Sequence, residues 1–470
     1  MWIRAGVALN SKMLDDLDFP SGVELLTAWI ESQMAYRGQP GLSIGVVYDQ
    51  ELVWAKGFGY ADVEQKIETS SKTLYRIASI TKLFTSTALM QLRDAGKLSI
   101  DDAVEEYLPW FKLKRSYTDS PPIKIWHLLT HTSGLPRESL STNWNDSKFP
   151  SRKEVIKAIE RQGAVIPTEV LWKYSNLALA IAGEVVQSVS GMAYSDYVKQ
   201  NILEPLEMHS TLVESPNLVD TRLAKGYGRR YPDGTRTASP FTDSKGITPA
   251  ANMTTNVEDL AKFAMLQFRC DGVGGSQILK GSTLKEMHRP HWLQPDWKEG
   301  WGIGFNIVRD GENVYVGHGG SVQGYRTLLR LNVPDKIAVI VLTNADDGNP
   351  LIYVEKALKW LTPSLRKDGT PKSGKKGKTG YQKYLGKFRN VWSDMQVLAL
   401  NDQLASIDPS QPEPAESFTK LVPTGKHAFI IETESGYGSY GEKMIFEFGS
   451  DSKVTRVKVG QDYIYPVERW

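Results

Sequence analysis

Strand-like alternation at both ends of the first 361 residues, with helical periodicity between, is the feature that most limits the fold. Residues 42–48 and 52–59 alternate apolar and polar positions around Asp49-Gln50, the pattern of a hairpin. Strands return at 304–309, 313–317, 325–332 and 337–343, and 351–361 closes as a helix. Between these groups, 79–98, 126–131, 151–162, 177–190 and 194–202 read as helices, as does 21–37 before the first hairpin. Strands drawn from opposite ends of a chain make one antiparallel sheet, so the helices between them form an inserted lobe. The expected class is α+β, with a pocket where lobe meets sheet.

The stretch from 362 to about 380, TPSLRKDGTPKSGKKGKTG, is rich in Pro, Gly, Ser and Lys and nearly free of apolar residues, which is linker composition. Beyond it, short runs at 391–392, 395–400, 428–431, 444–448, 454–459 and 463–467 are separated by turn residues, as in a small all-β barrel or sandwich. The expected organisation is therefore a domain over 1–362, a flexible linker over 363–380 and a small β-barrel over 381–470. A chain of 470 residues exceeds one ordinary core, in agreement with two domains.

Charge excludes little except a nucleic-acid function: the net value of +2 creates no strong whole-protein field. Cys270 is the sole cysteine, so no disulfide forms within the chain. The opening MWIRAGVALNSKMLDDLDFP lacks the apolar run of a signal peptide, and no membrane span is legible, so a cytoplasmic location is expected. His288 and His291 flank Pro290 without a third ligand group nearby, so neither a metal nor a cofactor is expected. Gly-x-Ser-x-Gly occurs at Gly41–Gly45, inside an expected strand rather than at a strand-to-helix elbow, and no glycine-rich loop stands in a nucleotide-binding context.

Chemistry concentrates in three short segments. Ser79-Ile80-Thr81-Lys82 opens the 79–98 helix, whose buried face carries Leu83, Phe84, Ala88 and Leu92. A serine in the first turn of a helix lies near free N–H groups and the positive end of the dipole. Lys82, three residues on, shares its face and can take the serine proton if its amine is desolvated and neutral. Ser-x-x-Lys alone carries little, because it recurs at Ser282/Lys285, Ser364/Lys367, Ser373/Lys376, Ser417/Lys420 and Ser450/Lys453. Tyr174-Ser175-Asn176 and His318-Gly319-Gly320 are the only Tyr-x-Asn and His-x-Gly, and they follow Ser79 in that order. Taken singly, Tyr174 is an ordinary core aromatic and His318 a strand-end histidine; taken together with Ser79, the three point to an active-site serine.

In this order the segments resemble the penicillin-binding protein and serine β-lactamase superfamily. The Tyr form of the middle motif resembles its class C β-lactamase, D-aminopeptidase and esterase branch. His127-Leu128-Leu129-Thr130-His131-Thr132-Ser133-Gly134-Leu135 is similar to a segment of that branch, as are Pro205-Leu206-Glu207-Met208 and Gly300-Trp301-Gly302-Ile303-Gly304-Phe305. The resemblance spans roughly residues 21 to 361. It implies a β-lactamase-like sheet with a helical lobe. Tyr384-Leu385-Gly386-Lys387-Phe388 resembles the opening of the lipocalin-like C-terminal domain attached to some relatives. That domain is expected to cover the site, recruit substrate or mediate homo-oligomer assembly.

Carried onto this chain, the resemblance makes Ser79 the acylated nucleophile and Lys82 its proton partner. Tyr174 would protonate the leaving group and later activate water, its phenolate favoured by Lys82 and His318. Asn176 would hold Lys82 and the substrate's acyl group. The N–H groups of Ser79 and Ser321 would form the oxyanion hole, with Gly320 letting the strand edge approach. His318 stands where β-lactamases carry the lysine of Lys-Thr-Gly, so its charge near neutrality would be partial and its grip on a carboxylate pH-dependent. His127 and His131 are expected to shape the helix end behind the site.

The expected activity is a serine hydrolase that cleaves ester or amide bonds of small acyl or peptide substrates. A D-amino-acid-specific peptidase or aminopeptidase, a slowly deacylating penicillin-binding sensor, and acyl transfer to an alcohol or amine remain open. An aminopeptidase would need an acidic group near the substrate amine, and the sequence places none.

Overall fold

The computed structural model describes residues 16–114, 117–214, 222–371, 380–414, 418–433 and 439–470. By internal packing the chain divides into two units. One is Pro40–Val354; the other joins the chain up to Gln39 with Glu355–Trp470.

In the first unit the strands from the two chain ends do meet. β1 (Gly41–Tyr48) and β2 (Glu51–Asp62) form the expected hairpin, with Asp49 in the left-handed region at φ 49°. β3 (Ile67–Glu68) extends that edge, while β4 (Tyr75–Arg76) and β5 (Thr254–Thr255) pair as a separate ribbon. β6 (Trp292–Leu293), β7 (Glu299–Trp301), β8 (Asn306–Asp310), β9 (Asn313–Val322), β10 (Tyr325–Asn332) and β11 (Ile337–Thr343) build the other side. The nine-stranded order is β3-β2-β1-β11-β10-β9-β8-β7-β6. The first and last strands therefore lie side by side in its interior, in antiparallel register Val46↔Val339. β11 reads IAVIVLT and is buried at every position, as a strand covered on both faces must be.

Three helices frame the site. α1 (Thr81–Asp94) follows a single 3₁₀ turn, Ala78–Ile80, so Ser79 lies just ahead of the regular helix rather than within it. α2 (Asn176–Ser190) is apolar nearly all round and is the buried centre of the helical lobe, packing on α1 and on Ile125–Leu129. α3 (Val257–Gln267) lies across β1 and β11. A side chain at Gly45 would collide with Val257, so the absent Cβ sets how closely this helix approaches the sheet.

The second unit holds a closed antiparallel barrel. Its strands run Gly386–Arg389, Asp394–Leu400, Gln403–Ile407, Thr419–Gly425, Ala428–Glu432, Lys443–Phe448, Val454–Val459 and Asp462–Val467, and the last returns to the first at Phe388↔Pro466. Phe388, Leu421, Phe429, Phe446 and Ile464 belong to one buried cluster, so side chains fill the barrel core. The helix Phe19–Arg37 belongs to this unit. Its Trp29 packs edge-on against Trp360 and donates to the Gln411 carbonyl at 3.1 Å.

Several expected boundaries moved. Val391 and Trp392 are not a strand but a hairpin turn, 89% and 83% exposed, because the Asn390 side chain accepts the N–H groups of Trp392 and Ser393. The expected linker over 363–380 is helical as far as Asp368, within Pro350–Asp368, and residues 372–379 lie outside the described set. Among the described residues, no single helix is long and apolar enough to cross a membrane.

Candidate active site

All three motifs converge on one cleft of about 940 Å³, lined by Ser79, Tyr174, Asn176 and the His318–Val322 end of β9. Each is delivered by a local feature legible in chemical terms. Ala78, immediately before Ser79, holds φ 44°, a conformation costly for a residue with a Cβ and often found at functional sites. Ser175 caps α2: its hydroxyl accepts the Ala178 N–H at 3.0 Å and donates to the Pro136 carbonyl at 2.6 Å. Tyr174 and Asn176 flank that cap at the helix N-terminus.

β8 leaves β9 at Gly317, so the strand from His318 to Val322 presents an edge that β8 does not pair. The turn Gln323-Gly324 closes on Val322↔Tyr325, and by ladder alternation the Ser321 N–H points away from β10, toward that open edge. A Cβ at Gly320 would strike the Ile77 carbonyl, which is why β9 can lie against the Ala78–Ile80 turn only with glycine there.

Lys82 is the best-held group in the cleft. Its Nζ is 3.1 Å from Ser79 Oγ, 2.8 Å from Asn176 Oδ1 and 2.8 Å from the Ala250 carbonyl. The side chain is 1% exposed. Burial pushes its amine well below the usual ammonium range; Glu138 opposes that shift and Arg137 adds to it. Asn176 cannot turn over without loss, because its Nδ2 donates to Glu138 Oε1 at 2.7 Å.

Tyr174 is half-buried, with Lys82 Nζ and Arg137 Cζ each 4.9 Å from its ring centre. Burial pushes its phenol up, and the hydrogen bond to Ser79 and the Arg137 cation only partly offset this. Burial thus favours the neutral phenol, against the help from Lys82 and His318 that a phenolate would need.

His318 also departs from expectation. It is 5% exposed, and burial, reinforced by Lys82, pushes its imidazole down to about 3. It is neutral throughout the physiological range and is no pH switch there. Its Nδ1 pairs with the Gly319 carbonyl at 2.6 Å, which leaves Nε2 as a buried acceptor without a partner among the described residues.

His131 takes the structural place expected of it. At φ 61°, its Nδ1 accepts the Ser175 N–H at 3.1 Å, and its ring lies 4.3 Å from that of Tyr174. Trp301, from the Gly300–Phe305 segment, stands edge-on to both His131 and His318. His127 ties Glu169 to the helix start, 2.6 Å from its carboxylate. His288 packs against Phe305 and Gln267. Sequence reasoning missed Arg137, Glu138 and the Ala250 carbonyl. Arg137 and Glu138 lie just beyond the nine residues quoted from 127 to 135, and Ala250 contributes only backbone, which no motif records.

Comparison with known proteins agrees with this geometry. A family model described as Beta-lactamase matches residues 26–362. Beta-lactamase-like protein 2 of Dictyostelium discoideum is 29% identical over 342 residues, 71% of this chain and 61% of the relative. The match thus spans about three fifths of that protein. Among solved structures, an octameric penicillin-binding protein homologue from Pyrococcus abyssi superposes with a TM-score of 0.64 at 27% identity, covering 93% of this chain and 98% of the other. A D-stereospecific amidohydrolase from Streptomyces shares the fold, with a TM-score of 0.60 at 22% identity over 71% of this chain and 98% of the other.

Proposed function

The chain belongs to the beta-lactamase family, and from that membership we propose that it hydrolyses ester or amide bonds of small acyl substrates through a Ser79 acyl-enzyme. The observation that carries the reading is the environment of Lys82. A neutral amine has two N–H donors and one lone pair. The Ala250 carbonyl and Asn176 Oδ1 accept the two donors, and the lone pair then faces the Ser79 hydroxyl. Ser79 Oγ attacks the acyl carbon while Lys82 takes its proton. The Tyr174 phenol donates to the departing alkoxide or amide and is restored by the proton held on Lys82. Water then attacks the acyl-enzyme by the reverse transfers. The backbone N–H groups of Ser79 and Ser321 receive the oxyanion.

The neutral state of His318 narrows the substrate. An uncharged imidazole whose Nε2 is closed off from solvent gives no charge-based grip on a free carboxylate beside the scissile bond. Positive charge at the cleft comes from arginines such as Arg137 and Arg229 instead. Asp346 lines the cleft but is engaged by Arg326 at 3.1 Å and by the Gly324 N–H at 3.0 Å. Glu138 has its Oε2 closed off from solvent. Each already has one oxygen held by protein donors, Asp346 Oδ1 and Glu138 Oε1, which supports acyl esters and amides over substrates with a free amino terminus.

The test pairs a short p-nitrophenyl acyl ester with D-Ala-p-nitroanilide in one preparation. Ester turnover at least tenfold above anilide turnover is expected, and the reverse ranking would favour the aminopeptidase reading. His318→Lys should raise acylation by a penicillin about tenfold, the worth of one charge-assisted hydrogen bond to its carboxylate. An unchanged acylation rate would remove His318 from substrate selection.

A further inference from the structure

Behind the cleft lies a carboxyl that the proton-transfer scheme does not use. Glu138 follows the loop at Pro136, which is strapped to the start of α2 by three bonds: Ser175 Oγ to the Pro136 carbonyl at 2.6 Å, and the N–H groups of Asn176 and Leu177 to the Arg137 carbonyl at 2.8 and 3.3 Å. The Gln162 side chain holds the Glu138 carbonyl at 3.1 Å. The side chain is therefore fixed from both sides, with Oε1 2.7 Å from Asn176 Nδ2 and Oε2 closed off from solvent. The side chain is 20% exposed, and Oε1 also lies 3.5 Å from Arg137 Nε.

We propose that Glu138 is the positioning residue of the general base: its carboxylate turns the Asn176 amide so that Oδ1 faces Lys82, and its charge sets how much of Lys82 is in the proton-accepting form. The first half follows from donor inventory. An amide bound at Nδ2 by a carboxylate must present its oxygen on the other side, where Lys82 Nζ stands at 2.8 Å. With Glu138 removed, the amide is free to rotate and place an N–H against the amine, occupying the lone pair that Ser79 needs.

The second half follows from the charges around Lys82. The loop carries His131, Arg137 and Glu138; the α2 start carries Tyr174; β9 carries His318; and the Thr248–Ala251 turn contributes only a carbonyl. His131 and His318 are held neutral by burial, and Tyr174 is a neutral phenol. The charged neighbours are therefore Arg137, which is solvent-facing and raises the neutral fraction, and Glu138, which is mostly buried, pairs with Arg137 at 3.5 Å and lowers it. Burial favours the neutral form of Glu138 as well, against the Asn176 bond, so its ionisation is the quantity the experiment reads.

The inference rests on the proposed Ser79 nucleophile, and the test separates the two. The rate of fluorophosphonate labelling is followed against pH for the full chain, for Ser79→Ala, Glu138→Gln and Glu138→Ala. Labelling that survives in Ser79→Ala would defeat the nucleophile itself. With Ser79 established, Glu138→Gln keeps an acceptor for Asn176 but removes the negative charge. Its acid limb should move down by about one pH unit, since an opposite charge that favoured the ammonium is gone. Glu138→Ala should lose about tenfold more of the plateau rate than Glu138→Gln, because only the glutamine still orients Asn176. An unmoved or raised limb in Glu138→Gln would overturn the charge role. Equal plateau rates in the two variants would overturn the orienting role. Circular dichroism checks folding, and if Glu138→Ala unfolds, the limb of Glu138→Gln alone decides.

Discussion

Ser79→Ala should lose covalent labelling by a fluorophosphonate and reduce ester turnover by about 10⁵- to 10⁶-fold, the scale on which a lone nucleophilic serine is worth its whole catalytic unit. The fold should survive. Ser79 sits in a 3₁₀ turn ahead of α1, and the neighbouring Ala78 and Ile80, which are buried, are untouched. The replacement removes one hydroxyl whose recorded partners are the groups of the site: Lys82 Nζ at 3.1 Å and the Tyr174 phenol. Intact-mass analysis and peptide mapping of the labelled protein decide the matter. Persistence of the adduct in the variant, mapped to another serine, would show that the convergence of three motifs on this cleft has been misread.

Lys82→Ala and Tyr174→Phe should each cut turnover by about 10³-fold or more, and the double variant should be little worse than the poorer single. In the proposed scheme both act on one proton transfer: Lys82 takes a proton from Ser79, and Tyr174 gives one to the leaving group. Losses that multiply would mean independent roles. The pH profile offers a second readout. Lys82 must be neutral to act, and its ionisation is lowered, so activity should rise with pH through that lowered value and then level off. Tyr174 must keep its proton, and its ionisation is raised above the ordinary value near 10, so no alkaline limb should appear below about pH 10. His318 contributes no limb between pH 5 and 8, because it is already neutral there. In Lys82→Ala the residual rate should lose the acid limb. An acid limb that persists unchanged in this variant would assign it to another group.

Much of the fold was legible because it follows from short-range rules. The hairpin 42–59 declared itself by period-two alternation, the strand 337–343 by a continuous β-branched apolar run, and the strands expected at 325–332 and 337–343 match β10 and β11 residue for residue. The prediction that strands from both chain ends share one sheet also held, with β1 beside β11. Less was legible where local chemistry competes with propensity. Val391-Trp392 has strand-forming side chains, yet one asparagine hydrogen-bonding its own backbone made them a turn. Pro363 and its polar neighbours look like a helix end, yet helix continues to Asp368, and Leu365 is fully buried there.

The residue types and their order along the chain were enough to single out Ser79, Lys82, Tyr174, Asn176 and His318 as candidates, and the fold brings them together. Their protonation states were not legible in the sequence. A sequence supplies a reference ionisation for each group, whereas the actual one depends on how much water the fold removes and which charges it leaves nearby. Burial pushes the Lys82 amine toward its neutral form, favours the Tyr174 phenol over its phenolate, and pushes the His318 imidazole down rather than leaving it the switch its identity suggested. The same is true of Glu138 and the Ala250 carbonyl. Neither carries a motif, and both matter only because α2 and the Thr248–Ala251 turn bring them within hydrogen-bonding distance of the group they serve or its partner. Sequence determined which atoms are available to this site; tertiary structure, by excluding solvent and fixing neighbours, decided what charge each of them bears.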